Sequence, residues 1–211
     1  MQARRTPGQR AGLSRQAVLE AALALVDREG LRALSMRRLG SELGVEAMTL
    51  YNHVSHKDAL LDGLVEQVVV TPAVSPFGAS SWRVGLRDFA HAFLAALRAH
   101  PNVIPLVVSR PAATSLNQRM LESVLGSLCE AGFSVHRALD VVHSVAGFVA
   151  GYVATTPPDD GTVPPRDLDA DEFPLLAAAM CGRTPSDSSN RFDFALDAML
   201  CGFGAALTSG D

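Results

Sequence analysis

Apolar residues recur with a helical period along almost the whole chain. From Ser14 to Glu29 they fall three or four positions apart on one face, and no later segment alternates with a period of two. Pro101, Pro105 and Pro111 are predicted to interrupt the pattern between two of the long segments. The pattern therefore predicts an all-α fold without a sheet. The predicted helices run over residues 14–29, 35–43, 47–53, 55–70, 82–100, 114–130, 134–155, 174–181 and 190–207.

Polar residues and glycines mark where several of these helices begin and end. Ser14, Ser35, Ser55 and Ser134 each precede an apolar helical pattern, as N-capping residues do, and Gly44 follows the second helix. Two segments between helices have loop composition. They are the Pro/Gly/Ser-rich residues 71–81 and the Pro/Asp-rich residues 156–172.

The most informative segment runs from Leu34 to Leu61 and reads LSMRRLGSELGVEAMTLYNHVSHKDALL. It predicts a short helix, a tight turn at Gly44 and a second short helix. In a helix-turn-helix, the first helix crosses the phosphate backbone of DNA and the second enters the major groove. The second helix here offers polar side chains at Thr49, Asn52 and His53 around the apolar Leu50 and Val54. The sequence thus predicts a DNA-binding head.

The charge of the chain is unevenly distributed. The 211 residues have a net charge of −4, which alone argues against a nucleic-acid partner. Residues 1–57, however, contain nine Arg or Lys and five acids, whereas residues 58–211 contain nine Arg or Lys and 17 acids. A basic head on an acidic body favours an anionic partner at one end. We expect residues 1–57 to form the DNA-binding domain and residues 58–211 a larger helical domain.

Several classes of protein are disfavoured by what the sequence lacks. It has no secretory signal pattern, and its apolar stretches, such as 141–154, fall short of the ~20 residues of a membrane span. The three cysteines, Cys129, Cys181 and Cys201, suit reduced, buried thiols. We expect a cytoplasmic protein without membrane contact. No nucleophile-elbow, zincin or phosphate-loop motif is present, so an enzyme is not expected.

A family resemblance extends these expectations. The run L-S-x-R-x-L-x-x-x-L-G-V-x-x-x-T-L-Y-x-H-V-x-x-K-x-x-L-L resembles the N-terminal domain of the TetR family of transcriptional repressors. The segments LCEAGFSVHRALDVVHSVAGFVAGYV, FPLLAAAM and FDFALDAMLCGFGAAL resemble the body of its tetracycline-repressor subgroup. The resemblance implies a three-helix DNA-binding domain joined to a larger helical domain for ligand binding and dimerisation.

The resemblance also implies roles for residues in the head. The family pattern assigns DNA contact to eight of them. Ala47 stands where tetracycline repressors have Gln, and Asn52 stands where they have Trp, which implies a different operator. Tyr51 can equally be a packing residue, and Lys57 a solvated charge. An arm with Arg4, Arg5 and Arg10 either reaches DNA or is a disordered tail. The eight are Arg37, Ala47, Met48, Thr49, Tyr51, Asn52, His53 and Lys57.

In the body, the resemblance implies a homodimer formed by helices 134–155 and 190–207. Their small residues and apolar faces agree with this, although a tightly packed monomer core is the alternative. Paired heads would read a near-palindromic operator on double-stranded DNA, with half-sites ~34–36 Å apart.

The resemblance further implies a pocket for a small-molecule effector. Leu106 and Val124 replace polar residues that hold a magnesium chelate in tetracycline repressors, and Pro72 or Ala73 replaces a third. We expect a hydrophobic effector, no magnesium and no cofactor. His136, Asp140 and His143 share one helix face, so a metal site there stays open. The implied lining is Phe89, Phe93, Leu106, Met120, Val124, Leu128, Val142, His143 and Gly147, with Leu175 and Leu176 reaching in from the partner subunit.

Together these features favour a repressor that a small hydrophobic effector releases from its operator. The alternative is a DNA-binding activator or auxiliary regulator that senses no small molecule. A body without a sizeable cavity would favour the alternative.

Overall fold

The computed structural model describes residues 13–70, 81–110, 114–156, 168–180 and 186–209. Over these residues the chain is helical and forms no strand, which confirms the predicted all-α class. Two short 3₁₀ turns, Leu31–Ala33 and Pro101–Val103, connect helices. The helices are α1 (Arg15–Glu29), α2 (Met36–Leu43), α3 (Ala47–Leu50), α4 (Lys57–Val70), α5 (Trp82–Ala99), α6 (Ile104–Ser109), α7 (Ser115–Glu130), α8 (Val135–Thr155), α9 (Pro174–Met180) and α10 (Ser186–Ser209).

The predicted N-caps hold with one exception. The hydroxyls of Ser14, Ser35 and Ser134 each accept a hydrogen bond from the backbone N–H three residues later. The prediction for Ser55 is wrong. Nδ1 of His56 accepts from the N–H of Ala59 at 3.0 Å, and α4 begins at Lys57.

The predicted interruption by prolines is confirmed at Pro101, because α5 ends at Ala99 and the next segment is bent by 98° from it, but the short helix α6 was not predicted. Pro101 opens a 3₁₀ turn, and Pro105 lies in the first turn of α6. A proline is tolerated there because the first N–H groups of a helix have no acceptor within the helix. Residue 111 lies outside the described ranges.

The core is continuous from the N-terminal helices to α10. Leu19, Leu39 and Leu50 are fully buried where α1, α2 and α3 meet. Phe93 and Phe192 are fully buried farther along the chain, where α5, α8 and α10 contribute to the same cluster. Helix α4 contacts α1 on one side and α5, α6 and α7 on the other. It therefore joins the N-terminal unit, which we call the head, to the remaining helices, which we call the body.

The prediction that every apolar stretch is too short to span a membrane is wrong for α8. The helix continues through His143, Gly147 and Gly151 to 21 residues, with a mean hydropathy of 1.4, so it is long and apolar enough to span a membrane. A core helix of a soluble protein passes the same test. Helix α8 contacts α5, α6, α7 and α10, and 28% of its apolar stretch is buried in the single chain.

The described cysteines are free thiols, but they are less buried than the sequence predicts. Cys129 is half-buried, and Cys201 is exposed on α10. The expectation of buried thiols is therefore wrong for Cys201 in a single chain, while Cys181 lies outside the described residues.

Candidate DNA-binding surface and effector pocket

The turn between α2 and α3 depends on two glycines. Gly44 adopts a left-handed conformation (φ 66°, ψ 29°), which ends α2. The N–H of Val45 then donates to the carbonyl of Gly40 at 2.9 Å. A Cβ atom at Gly40 would lie 2.8 Å from the carbonyl oxygen of Val45 and 3.2 Å from the nitrogen of Ala47. Gly40 thus permits the close approach of the two helices. Sequence reasoning missed it, although a glycine inside a short helix was a signal.

Helix α3 is shorter than predicted. Regular α-helix spans Ala47–Leu50 rather than 47–53, and the chain then continues in tight turns. The N–H groups of Tyr51, Asn52 and His53 bond to carbonyls three residues earlier, as in a 3₁₀ turn. Leu50 and Val54 are buried and fix this segment on α1 and α2, as the sequence predicts.

The eight predicted DNA-contact residues lie on α2, on α3 with its following turn, and at the start of α4. Arg37, Tyr51, Asn52 and Lys57 are exposed, and the Met48 side chain is 71% exposed. Ala47, Thr49 and His53 are half-buried.

The head arginines differ in their ion pairs. Arg38 bonds to Glu29 at 2.6 Å and to Glu42 at 3.0 Å, and Arg28 bonds to Glu42 at 2.9 Å. Hydrogen bonding to Arg38 lowers the pKa of Glu29, and the same pair raises the pKa of Arg38. These pairs hold α1 against α2.

Arg37 and Lys57 differ from these paired arginines. No carboxylate in the described part of the chain forms an ion pair with either of them. Their charges are therefore available to a phosphate.

Arg110 links the body to α4. Its guanidinium donates to Oδ1 of Asp62 at 2.7 Å and to Oδ1 of Asp58 at 2.6 Å. Hydrogen bonding to Arg110 lowers the pKa of Asp58, and the two carboxylates raise the pKa of Arg110. Because Arg110 follows α6 directly, these bonds connect the end of α6 to the first turns of α4.

A second polar link joins the body to α1. Nδ2 of Asn102 donates to the carbonyls of Val26 and Asp27 at 3.0 and 3.1 Å. Nδ1 of His100 lies 2.8 Å from Oδ2 of Asp27. The segment from His100 to Arg110 therefore contacts α1 of the head and the connecting helix α4.

Most of the predicted pocket residues meet in the core of the body. The rings of Phe89 and Phe93 stack with centroids 5.6 Å apart. Leu106 and Val124, which the resemblance aligns with polar residues of tetracycline repressors, are buried. The whole core group is Phe89, Phe93, Leu106, Val124 and Leu128, all buried, with Met120 and Val142 half-buried against them.

Four predicted pocket residues lie elsewhere in a single chain. His143 and Gly147 are on the exposed side of α8. Leu175 and Leu176 are exposed on α9, and Leu175 is 86% exposed. The chain by itself does not bring these four to the core group. Pro72 and Ala73 lie outside the described residues.

One described cavity occupies a different place. It has a volume of about 540 Å³ and lies between the α7–α8 turn, the first half of α8 and the end of α10. Phe133, Arg137, Asp140 and Phe203 are among its lining residues, and none of the predicted pocket residues is.

The possible metal set is dispersed. His136, Asp140 and His143 are all exposed, and Arg137 lies 3.7 Å from Asp140. No three His, Cys, Asp or Glu residues in the described ranges are grouped so as to hold a metal ion.

A helix-turn-helix head with exposed, uncompensated cations, joined through one helix to a helical body, defines the class of DNA-binding regulators. The family model of bacterial regulatory proteins of the tetR family matches residues 18–64. The model of the tetracycline-repressor-like C-terminal domain matches residues 76–207. The chain belongs to the TetR family, as the sequence predicts.

Individual relatives agree with this assignment. The tetracycline repressor protein class E of Escherichia coli is 32% identical over 200 residues, covering 93% of each chain. The crystal structure of ActR from Streptomyces coelicolor in complex with actinorhodin is 25% identical, with a TM-score of 0.76, covering 93% of this chain and 97% of ActR. A TetR variant from Acinetobacter baumannii AYE in complex with minocycline is 28% identical, with a TM-score of 0.72, covering 94% and 97%. The relatives are transcriptional regulators, and both of the crystal structures contain a bound small molecule.

Proposed function

We propose that the protein is a transcriptional repressor that a small hydrophobic effector releases from a near-palindromic operator. The observation that carries this is the exposed face of the helix-turn-helix. There Arg37 and Lys57 form no ion pair with any described carboxylate, and they lie on the same segment as Met48, Tyr51 and Asn52. Two relatives that are named as repressors support repression rather than activation.

On DNA, α2 lies across the backbone and α3 enters the major groove. Arg37 bonds to a phosphate or a guanine edge, and Lys57 to a phosphate. Ala47 and Met48 make apolar contact, for instance with a thymine methyl group, while Asn52 bonds to a base or a phosphate. Thr49, Tyr51 and His53 complete the contacts. The functional division falls at Lys57, with residues 58–211 as the regulatory body.

The DNA-binding unit is a homodimer. Phe194 is 78% exposed on α10 in the single chain. A Cβ atom at Gly147, Gly151 or Gly202 would meet no described atom within 4 Å apart from the adjacent residues and the backbone of its own helix. An apolar helix pair with open small-residue sites is suited to close approach by a second copy. This interface buries the exposed side of α8 between the two subunits. The apolar helix is then compatible with a soluble protein in the cytoplasm.

The effector binds in the body and favours a conformation that does not bind DNA. Phe89, Phe93, Leu106, Met120, Val124, Leu128 and Val142 supply an apolar lining. His143 and Gly147, and Leu175 and Leu176 of the partner, complete it in the dimer. Because Leu106 and Val124 are apolar, we propose a hydrophobic effector that needs no magnesium. Arg110 conveys the change to α4.

The test is a gel shift with the DNA that flanks the gene, with and without hydrophobic candidate compounds. We expect specific binding that a compound abolishes without added magnesium. Absence of binding at every salt concentration would refute the proposal, and release by a tetracycline–magnesium chelate at micromolar concentration would refute the effector class.

One observation favours the second function, a regulator that senses no small molecule. The described cavity is lined by none of the predicted pocket residues, and seven of these residues belong to the hydrophobic core. Specific DNA binding that no apolar compound alters, together with no compound-induced thermal stabilisation, would favour this alternative.

A further inference from the structure

Asn117 is a buried polar side chain without a partner. Among the described residues, two polar or charged side chains are buried, Glu66 and Asn117. Glu66 accepts a hydrogen bond from Arg15 at 3.0 Å. Asn117 is 0% exposed, and neither its Oδ1 nor its Nδ2 has a hydrogen-bond partner within the described ranges. Its backbone N–H is satisfied by Oγ1 of Thr114 at 3.2 Å, so only the carboxamide is unpaired.

The position of Asn117 places it on the inward face of α7. Val124 and Leu128 follow it by seven and eleven residues, which are whole turns of an α-helix, and both are buried. They belong to the same core cluster as Phe93 and Leu106. The carboxamide therefore lies on the face of α7 that the proposed effector pocket uses, in the first turn of the helix.

Burial of an unpaired carboxamide needs a physical reason. A buried amide without partners has lost its bonds to water and gained none in exchange. Most buried polar groups in proteins are bonded, and an exception points to a missing partner. Asn117 is not needed as a helix cap, because Thr114 caps α7.

We propose that Asn117 is the polar anchor of the effector site and selects the chemical class of the ligand. The inference rests on the proposed effector-responsive function. A carboxamide offers a donor and an acceptor side by side. Its complement is a largely apolar molecule with an adjacent donor and acceptor, such as a carboxamide or a phenol next to a carbonyl. One polar anchor in an apolar lining orients such a ligand and rejects hydrocarbons of the same shape.

The first test compares two asparagines in the free protein by thermal unfolding. Asn117→Leu removes an unpaired amide and keeps the branched shape, so the Tm is expected to stay the same or to rise. Asn102→Leu removes two hydrogen bonds to backbone carbonyls, so its Tm is expected to fall. A fall for Asn117→Leu as large as that for Asn102→Leu would show that the amide is already bonded, and would overturn the proposal.

The second test uses matched probes with the full-length protein. Calorimetry with 2-naphthamide, and with 2-ethylnaphthalene as its apolar counterpart, compares the wild type with Asn117→Ala, whose smaller side chain cannot obstruct the pocket. We expect 2-naphthamide to bind the wild type at least tenfold more tightly than 2-ethylnaphthalene. The preference is expected to vanish in the variant. A wild type without the preference, or a variant that keeps it, would overturn the proposal.

A gel shift with the flanking DNA separates this inference from the proposed function. Binding of 2-naphthamide that depends on Asn117 but leaves the DNA complex intact would uphold the anchor and contradict effector-controlled release. Release by apolar compounds that is equally efficient in wild type and Asn117→Ala would uphold the proposed function and overturn the anchor.

Discussion

The head and the body bury their apolar residues to different extents. In the head, Leu19, Leu39 and Leu50 are fully buried, and the large exposed apolar side chains are those of Met48 and Tyr51. In the body, Phe194 on α10 and Leu175 on α9 remain exposed in a single chain. A closed core under a polar face suits a polar partner such as DNA, whereas open apolar helices need a protein or a ligand to cover them. We therefore expect the two regions to have different partners.

The largest expected effect comes from disrupting the head alone. In Gly40→Val, the new side chain would collide with the backbone of Val45 and Ala47, which separates α2 from α3. We expect specific DNA binding to fall about 1,000-fold or more, to the non-specific level, while the protein stays dimeric. Fluorescence anisotropy and light scattering measure the two properties. Gly126→Ala is the control, because a Cβ atom there meets no neighbour. Unchanged affinity in Gly40→Val would contradict the packing assigned to the turn.

The next largest effect tests whether the exposed apolar surface of α10 is the dimer interface. Phe194→Glu places a charge on the proposed dimer surface and is expected to yield monomers. Loss of the second head lowers operator affinity by about 100-fold. Val108→Glu is the matched control, since Val108 on α6 is 68% exposed but lies outside the proposed interface. Sedimentation that shows a stable Phe194→Glu dimer would place the interface elsewhere.

A smaller effect on DNA affinity is expected when a cation of the head is removed, and none when a cation of the body is removed. Lys57→Ala is expected to weaken DNA binding about tenfold and to reduce the salt dependence by about one counterion. Arg98→Ala, which removes an exposed cation from α5, is expected to change neither quantity. Titrations at several salt concentrations give both numbers. An identical salt slope in Lys57→Ala and wild type would show that Lys57 is a solvated charge.

The smallest effect concerns the joint between the regions. Arg110→Ala is expected to lower the Tm by about 2 °C at pH 7, because the bonds to Asp58 and Asp62 are partly exposed.

The pH dependence of this joint follows from Asp58, whose pKa Arg110 lowers in the folded protein. The stabilisation is therefore present above the ordinary carboxyl pKa of about 3.9 and is lost as the pH falls through the lowered value. Melting curves from neutral to acid pH should converge for wild type and Arg110→Ala, and Arg119→Ala serves as the control. Parallel curves at every pH would contradict the assigned ion pair.

Local features were predicted best. The caps at Ser14 and Ser35, the turn at Gly44 and the burial of Leu50 and Val54 follow from short-range rules, because each depends on neighbours within a few residues. The errors have the same origin. His56 caps α4 in place of Ser55, and α3 ends early in 3₁₀ turns, because competing local hydrogen bonds at helix ends differ little in energy.

The candidate sites depended on longer-range information. The head residues could be assigned because the helix-turn-helix is a continuous segment of the sequence. In the body, periodicity did not predict that the Asn117 side chain is buried and has no hydrogen-bond partner among the described residues. It also did not predict that His143 and Gly147 lie on the exposed side of α8. A helix pattern defines an apolar face but not the elements that cover it.

The sequence by itself determined the helices, the basic head and the family, because periodicity, charge and a continuous motif can be read along the chain. Only the tertiary structure decided which charges are neutralised and which are free. Arg37 and Arg38 are neighbours in sequence, yet only Arg38 meets Glu29 and Glu42 across two helices. Likewise, Arg110 bonds to two residues of α4 that precede it by 48 and 52 positions in the sequence. The physical reason is that ion pairing and burial depend on distance in space, which local pattern does not fix.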